Sequence, residues 1–393
     1  MAPTPLEQDF CLSAYSFDLP EEHIAQSPAM ERCASRLMVL DRSRKRLEQG
    51  LFPDILRYLP EKCLLVANNS RVAPVRLAGK RDSGGKLECL LLTPPPLLER
   101  VPTNPPLCDA STPTTVLDAR WHCATAEALL RPAKKIPLET PVSLAPDLAV
   151  HVLERGEFGR CRVRLYWRGE LESVLESRGT LPLPPYIRRA EEGRGDWGTD
   201  TERYQTTYAR RDKAGSAAAP TAGLHFTPLL REELERSGRE WAEVTLYVGY
   251  GTFSPVRSED IREHAMHAEY AELPARTLEA VRRAKAEGRA VIAVGTTSAR
   301  VLEGVSALQS GLFSEDFEYA GETAFSDWIS IFLYPGKPVR VIDGLITNFH
   351  LPHSSLLMLL SALAGRETIL DAYREAVRSG FRFFSYGDAM LVL

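Results

Sequence analysis

An imidazole, a carboxamide and several hydroxyls crowd into one short segment, residues 346–355, ITNFHLPHSS. Thr347, Asn348, His350, His353, Ser354 and Ser355 stand there between two apolar runs. The first, residues 339–345, is short and β-branched and predicts a strand. The second, residues 356–363, is rich in Leu, Met and Ala and predicts a helix, with Ser354 or Ser355 at its N-cap. A turn that only reverses the chain is built from Gly, Pro, Asn or Asp. This one sets acid-base and hydrogen-bonding groups beside a helix start, where unpaired N–H groups favour anions. A capped loop with a packed histidine is the structural alternative.

Two further turns have the same character. Gly295-Thr296-Thr297-Ser298 follows a short apolar strand, residues 289–294, and precedes a helical pattern at 299–308. Gly295 permits a tight turn, and Thr297 or Ser298 can cap the helix. Such a start can hold a carboxylate or phosphate. The third turn is AAAPTAGLHFT, residues 217–227. Thr227 and Pro228 make an N-cap and first-turn pair for a helix at 229–237, which Gly238 ends. Small residues upstream let a ligand approach the backbone. His225 and Phe226 bring an acid-base group and a stacking face.

The elements that must position these turns fall into three regions. Residues 1–76 mix a polar entry with apolar runs at 37–40 and 63–67. Residues 77–198 carry short β-rich stretches at 87–92, 148–153 and 160–166, separated by Gly and Pro, with one short helical pattern near 171–177. That composition predicts an inserted small β-barrel or sandwich domain. Within it, residues 93–115 are Pro- and Thr-rich and read as a disordered surface loop. Residues 191–201 read as a second polar, Gly-rich loop. From 199 to 393, strands alternate with helices, closed by a helix at 371–379 and a terminal strand at 381–384. Alternation predicts a largely parallel α/β core. The expected architecture is thus an α/β catalytic domain, 1–76 plus 199–393, with a β-barrel domain inserted at 77–198.

Composition narrows the function. With 44% hydrophobic and 25% charged residues the chain is an ordinary globular one, and a formal charge of −4 argues against a general polyanion binder. Seven cysteines lie between Cys11 and Cys161 without a CxxC pair and read as reduced thiols in the cytoplasm. The start lacks a signal-peptide pattern, and the longest apolar run, near 356–364, is too short for a bilayer, so no membrane is expected. His264, His267, His350 and His353 form two i, i+3 pairs, and a zinc hydrolase built on these four imidazoles is the alternative to weigh. Neither is HExxH and no Cys lies near in sequence, so no metal site is expected. Basic residues cluster instead at both junctions of the insertion: Arg71, Arg76, Lys80, Arg81 and Lys86 at one, Arg188, Arg189, Arg203, Arg210, Arg211 and Lys213 at the other. Tyr186, Tyr204 and Tyr208 interleave the second group. Cations and aromatic faces in this mixture suit an RNA loop with splayed bases.

Taken together these motifs resemble the S-adenosylmethionine:tRNA ribosyltransferase-isomerases of queuosine biosynthesis. The resemblance runs almost end to end: FDLPEEHIAQSP (17–28), SRLMVLDR (35–42), NNSRVAPVRL (68–77), LPLPPYIRR (181–189), ERYQTTYA (202–209), AAPTAGLHFT, YGTFSPV (250–256), HAMHAEY (264–270), VGTTSAR (294–300) and the ITNFHLPHSS segment. The loops at 93–115 and 191–201 look like insertions, and His353 stands where the family varies. The resemblance implies an α/β core with an inserted β-barrel. It also implies transfer and isomerisation of the ribosyl part of S-adenosylmethionine onto 7-aminomethyl-7-deazaguanine at the tRNA wobble position. S-adenosylmethionine is then a co-substrate rather than a permanently bound cofactor. The tRNA anticodon stem-loop is the macromolecular partner, and no protein partner is implied. A non-catalytic RNA-binding protein is the remaining alternative. The reaction needs a base for the ribose carbon beside the sulfonium and an acid for departing adenine. His225, His267 and His350 are the candidates. Thr221, Gly223, Phe226, Thr252, Phe253, Thr296, Thr297, Ser298 and Asn348 are the expected co-substrate contacts, with the helix-start hydroxyls on the methionine carboxylate and the phenyl rings stacking. Arg71, Arg188 and Arg189 are expected on the RNA, and Asp343 or Asp388 on the guanine-like edge of the base.

Overall fold

The computed structural model describes residues 6–81, 84–101, 121–138, 141–189, 197–249, 255–314 and 317–393. They divide into two units. One takes the described residues of Met1–Ser70, Pro184–Arg210 and Ala219–Leu393; the other takes those of Arg71–Leu183 and Arg211–Ala218. The divisions near 70 and 183 fall earlier than the 76 and 198 read from composition. Arg71–Val72 pairs in parallel with Ala214–Ser216, which draws both segments into the second unit. Residues 184–198 read as the tail of an insertion, yet the Tyr186 hydroxyl lies 2.7 Å from Ser385 Oγ and Arg189 pairs with Asp200, both within the first unit.

The first unit is built on a nine-stranded mixed sheet: β1 (Arg36–Asp41), β2 (Arg46–Leu51), β3 (Leu64–Asn68), β4 (Glu240–Leu246), β5 (Glu269–Pro274), β6 (Val291–Val294), β7 (Thr323–Ile329), β8 (Gly344–Asn348) and β9 (Ala389–Val392). Their order is β7-β5-β4-β3-β6-β8-β9-β1-β2. The four central strands, β4, β3, β6 and β8, are mutually parallel. β3, β6 and β8 are buried at every residue, as expected of parallel strands covered on both faces. Parallel pairing returns only between β9 and β1, and the remaining neighbours are antiparallel. The expectation of a largely parallel sheet therefore holds for its centre alone.

Two predicted strands move. The apolar run at 339–345 becomes a strand only from Gly344. The Glu303 carboxylate accepts the N–H groups of Arg340, Val341 and Ile342 at 2.8–2.9 Å, which withdraws them from any ladder. The terminal strand expected at 381–384 is β9 instead. Phe381 and Phe383 are fully buried and pack on Phe349, and Phe384 turns the chain at φ 70°. That apolar run serves the core rather than a ladder.

The second unit carries an eight-stranded antiparallel sheet. Its longest strands are Trp121–Arg131, Leu148–Arg155 and Arg160–Arg168. The sheet curls until Arg76–Lys80 approaches Val142–Ala145. Gly79 makes this possible, since a Cβ there would stand 3.0 Å from the Leu144 Cα. The loop expected to be disordered at 93–115 is ordered where it is described. Thr93 Oγ1 accepts the Glu127 N–H at 2.8 Å, Pro95–Leu97 forms a 3-10 turn, and Glu99–Val101 pairs with Trp121–Arg131. Residues 102–115 lie outside the described residues. The polar loop at 191–201 is likewise part helix, Trp197–Arg203, and residues 191–196 lie outside the described residues.

Glu303 gives the first test. Glu303→Leu leaves three backbone donors without their acceptor, at about 1–3 kcal/mol for each buried one. Chemical denaturation should report a loss of at least about 3 kcal/mol on that scale. A loss under about 1 kcal/mol would mean that the 340–342 segment finds other acceptors.

Candidate active site

Parallel strands bring their following turns to one edge, where open α/β sheets bind ligands. The carboxyl ends of β3, β4, β6 and β8 are followed by Asn68-Asn69-Ser70, the turn from Tyr247, Gly295–Ser298 and Asn348–Ser355. The mixed topology adds more. β9 and β1 run opposite to these four strands, so Asp388, Ser35 and Arg36 sit at the same edge where β9 and β1 begin. Glu269, at the start of antiparallel β5, joins them.

His225 ends a 3-10 turn, Thr221–His225, that packs on the end of β8. Its ring is 3% exposed and lies 5.0 Å from the Phe52 ring. Asn348 Nδ2 is 3.1 Å from His225 Nε2, and Ser35 Oγ is 2.9 Å from Nδ1. The Asn348 amide also reaches the Asp388 carbonyl at 3.4 Å, so its nitrogen, not its oxygen, faces that side. Nε2 of His225 is therefore the acceptor and Nδ1–H the donor to Ser35. Burial, reinforced by Arg32 and Arg382, lowers the His225 pKa to about 3. The expected neutrality is present, but desolvation produces it rather than a helix terminus. A cavity of about 20 Å³ opens beside the ring, lined among others by Glu31, Arg32, Ser35 and Tyr386. It has room for one water and none for a nucleoside.

The three polar turns converge. Gly295, at φ 89°, would carry a Cβ 3.7 Å from that of Ala222, and its N–H bonds the Ile346 carbonyl at 2.8 Å. Thr227 caps the helix Pro228–Arg236 and Ser354 caps Ser355–Ala364 as expected, through bonds to Leu230 and Leu357. The helix after Gly295 starts earlier than expected, at Thr296, and has no side-chain cap. Ser298 Oγ donates to the Val294 carbonyl at 2.9 Å instead. His350 Nε2 lies 2.8 Å from Thr347 Oγ1, and surrounding packing lowers its pKa to about 3, although its edge reaches the surface. Thr221 is half-buried at the start of the turn that ends in His225.

Other expected site residues are placed differently. Phe226 is fully buried between Phe52 and Trp241, so it stacks within the core and not on a ligand. Gly223 packs on Tyr208, where a Cβ would fall 2.0 Å from the hydroxyl; close packing accounts for this glycine. Asp343 precedes β8 and accepts from Val291 N–H at 2.8 Å and Lys285 at 3.0 Å, which puts it at the amino edge, opposite Asn348. The Asp388 carboxylate accepts Arg36 and Arg382 N–H groups at 2.9 and 2.8 Å and pins backbone. Burial raises its pKa. His267 is exposed, and among the described contacts none joins it to His225 or His350. Thr252 and Phe253 lie outside the described residues.

The basic patch is smaller than the sequence implied. Arg189 forms a two-pronged pair with Asp200 at 2.7 and 2.8 Å, where Asp200 is 1% exposed and also accepts the Tyr386 hydroxyl. Arg203 donates to the Ala29 and Met30 carbonyls. Tyr204 and Tyr208 are buried against Tyr386 and Trp241 and offer no face to RNA. Arg188 is exposed and meets Glu21. Arg71 belongs to the second unit, in its pairing with Ala214–Ser216. Among the described residues no three metal-ligating side chains converge. His264 packs on Phe332, and His353 turns the chain at φ 60°. Ser35 and the buried Arg300–Glu269 pair were not singled out as site residues. Ser35 stands just before the apolar run at 37–40, and Arg300 and Glu269 lie inside the motifs VGTTSAR and HAMHAEY.

Two outcomes follow. Arg189→Ala strands Asp200 in the interior and should cost roughly 3–5 kcal/mol. Arg188→Ala should stay within about 0.5 kcal/mol in the same denaturation series. Equal effects would show the Arg189 pair to be dispensable. For His225, the unfolded chain protonates near 6.5 and the folded one near 3, so protons favour the unfolded state between those values. Stability should fall as pH drops through that window, by up to about 1.4 kcal/mol per pH unit from this group, and be indifferent to it above. His225→Asn should flatten that acid limb. An unchanged slope would mean the ring is not held neutral.

The family model for queuosine biosynthesis proteins matches residues 12–392. An S-adenosylmethionine:tRNA ribosyltransferase-isomerase of Nitratidesulfovibrio vulgaris (strain DP4) is 56% identical over 384 residues, covering 98% of each chain. Another, from Oleidesulfovibrio alaskensis, is 52% identical and covers 98% of this chain and 93% of its own. A solved S-adenosylmethionine tRNA ribosyltransferase from Thermotoga maritima is 30% identical, covers 97% of this chain and 100% of that one, and has a TM-score of 0.48. This chain belongs to the queuosine biosynthesis protein family.

Proposed function

We propose that the protein transfers the ribosyl moiety of S-adenosylmethionine to the aminomethyl group of 7-aminomethyl-7-deazaguanine at the tRNA wobble position. The ribose isomerises to an epoxycyclopentane, giving epoxyqueuosine, and adenine and methionine leave. The observation that carries this reading is end-to-end similarity to relatives named for this reaction. Purified protein, S-adenosylmethionine and an anticodon stem-loop bearing the aminomethyl base should yield the heavier RNA by mass spectrometry, with adenine and methionine in equal amounts. Unmodified RNA, or cleavage without ribosyl transfer, would overturn the reading.

The site supports a division of labour. The sulfonium acidifies the adjacent ribose carbon. Neutral His225, whose Nε2 lone pair is held by Asn348, takes that proton once the amide turns and the small cavity beside the ring widens to admit the ribose. Burial, with Arg32 and Arg382, keeps the ring unprotonated and free to accept, and the same surroundings oppose the imidazolium once it forms. His267, exposed, is the remaining candidate for the proton that adenine needs to leave, since burial holds the His350 ring neutral. His225→Gln should lower turnover by at least about 10²-fold with binding retained. Solvent deuterium exchange at the ribose carbon should slow with it, and normal exchange would remove His225 as the base.

The curled sheet of the second unit acts in this reading as the inserted barrel, with Arg71 toward the stem-loop. Arg188 supplies an exposed cation in the first unit. Arg188→Ala should weaken stem-loop binding and reduce the slope of log affinity against log salt by about 1, with co-substrate affinity unchanged. An unaltered slope would take Arg188 out of the footprint.

A further inference from the structure

The helix Thr296–Leu308 opens with more donors than it uses. Gly295 is its N-cap and supplies no side chain, and the N–H groups of Thr296, Thr297 and Ser298 meet no acceptor among the described residues. The Thr297 hydroxyl is buried, with the residue 7% exposed, and has no hydrogen-bond partner among the described residues. One turn on, Arg300 is 4% exposed. Its Nη1 pairs with Glu269, but Nε and Nη2 meet no acceptor among the described residues. Glu269 also accepts the Gly249 N–H at 2.8 Å, which ties the pair to the ligand edge of β4.

Positions i and i+3 share a helix face, and helical side chains lean toward the N-terminus. The Thr297 hydroxyl, the Arg300 donors and the open N–H groups therefore serve one end of one helix. Buried donors without acceptors are costly, guanidinium donors most of all, and a group of them calls for an acceptor-only ligand atom. A planar carboxylate accepts two parallel guanidinium bonds and one from a hydroxyl. The other anion in this chemistry is an RNA phosphate. An RNA backbone is bulky, and Arg300 is too deeply buried to meet it.

We propose that Thr297 and Arg300, with the first-turn N–H groups, bind the α-carboxylate of the methionyl group of S-adenosylmethionine. The assignment rests on the reading of that molecule as co-substrate. It makes the methionyl end of the ligand point toward β6 and β4 and leaves the ribose for the His225 turn beside Gly295.

Calorimetric titration tests it with S-adenosylmethionine and with its decarboxylated form, on the full chain. The wild type should prefer the carboxylated form by about 10- to 100-fold, the scale of a charge-assisted bond pair. Thr297→Val leaves the ion pair intact, and Arg300→Lys keeps a cation for Glu269. Each should lose about tenfold or more toward S-adenosylmethionine, with the decarboxylated form and the stem-loop unaffected. Equal wild-type affinity for the two forms would overturn the carboxylate site and leave the co-substrate reading standing. Binding of neither would overturn both. Equal losses toward both forms would make the residues structural, and a loss toward the stem-loop alone would make the site one for phosphate.

Discussion

Parallel pairing of β6 between β3 and β8 is the constraint on which the site depends. Parallel strands cannot be joined by tight hairpins, so each needs a long return that delivers the chain to the same edge again. Three polar turns scattered over more than a hundred residues of sequence therefore finish side by side. The antiparallel additions then bring strand beginnings to that edge as well. This is how Ser35, near the start of the chain, and Asn348, near its far end, come to hold the two nitrogens of one imidazole.

The interior sets the chemistry through what it withholds. Among the described residues the His225 ring nitrogens meet only a hydroxyl and an amide, and the charges that bear on the ring are the guanidiniums of Arg32 and Arg382. Water is reduced to a space the size of one molecule. An imidazole so placed stays an acceptor over the whole physiological range. A nearby carboxylate would have raised its pKa and stabilised the imidazolium.

Local chemistry was the legible part. Thr227-Pro228 and Ser354 announced their helix starts because a cap is decided by a few neighbouring residues. Motif order carried the family. Relations set by tertiary packing were not legible. Phe226 and the exposed aromatic residues obey the same composition rules, and only the arrival of Phe52 and Trp241 buries it. Asp343 and Asn348 are five residues apart, yet a strand runs between them and places them at opposite edges. The Arg188-Arg189 pair reads as one basic patch, whereas Asp200 takes one member into the interior. The strand expected at 339 failed for a similar reason, since Glu303, distant in sequence, took its donors.

One feature of the sheet bears on how the chain is made. β9 lies between β8 and β1, so it is the seam that joins the β1–β2 hairpin to the parallel strands. The hairpin ends at Leu51, and the seam is not complete until Val392. At about 5–20 residues per second, the hairpin waits on the ribosome for roughly 20–70 s with no sheet to join. β2 meets that interval with a polar, half-exposed sequence, RLEQGL, which is a poor template for other strands. The weak hydrophobicity that hides this strand from sequence reading thus blunts one edge of the waiting hairpin, while the other edge, β1, is closed only when β9 arrives.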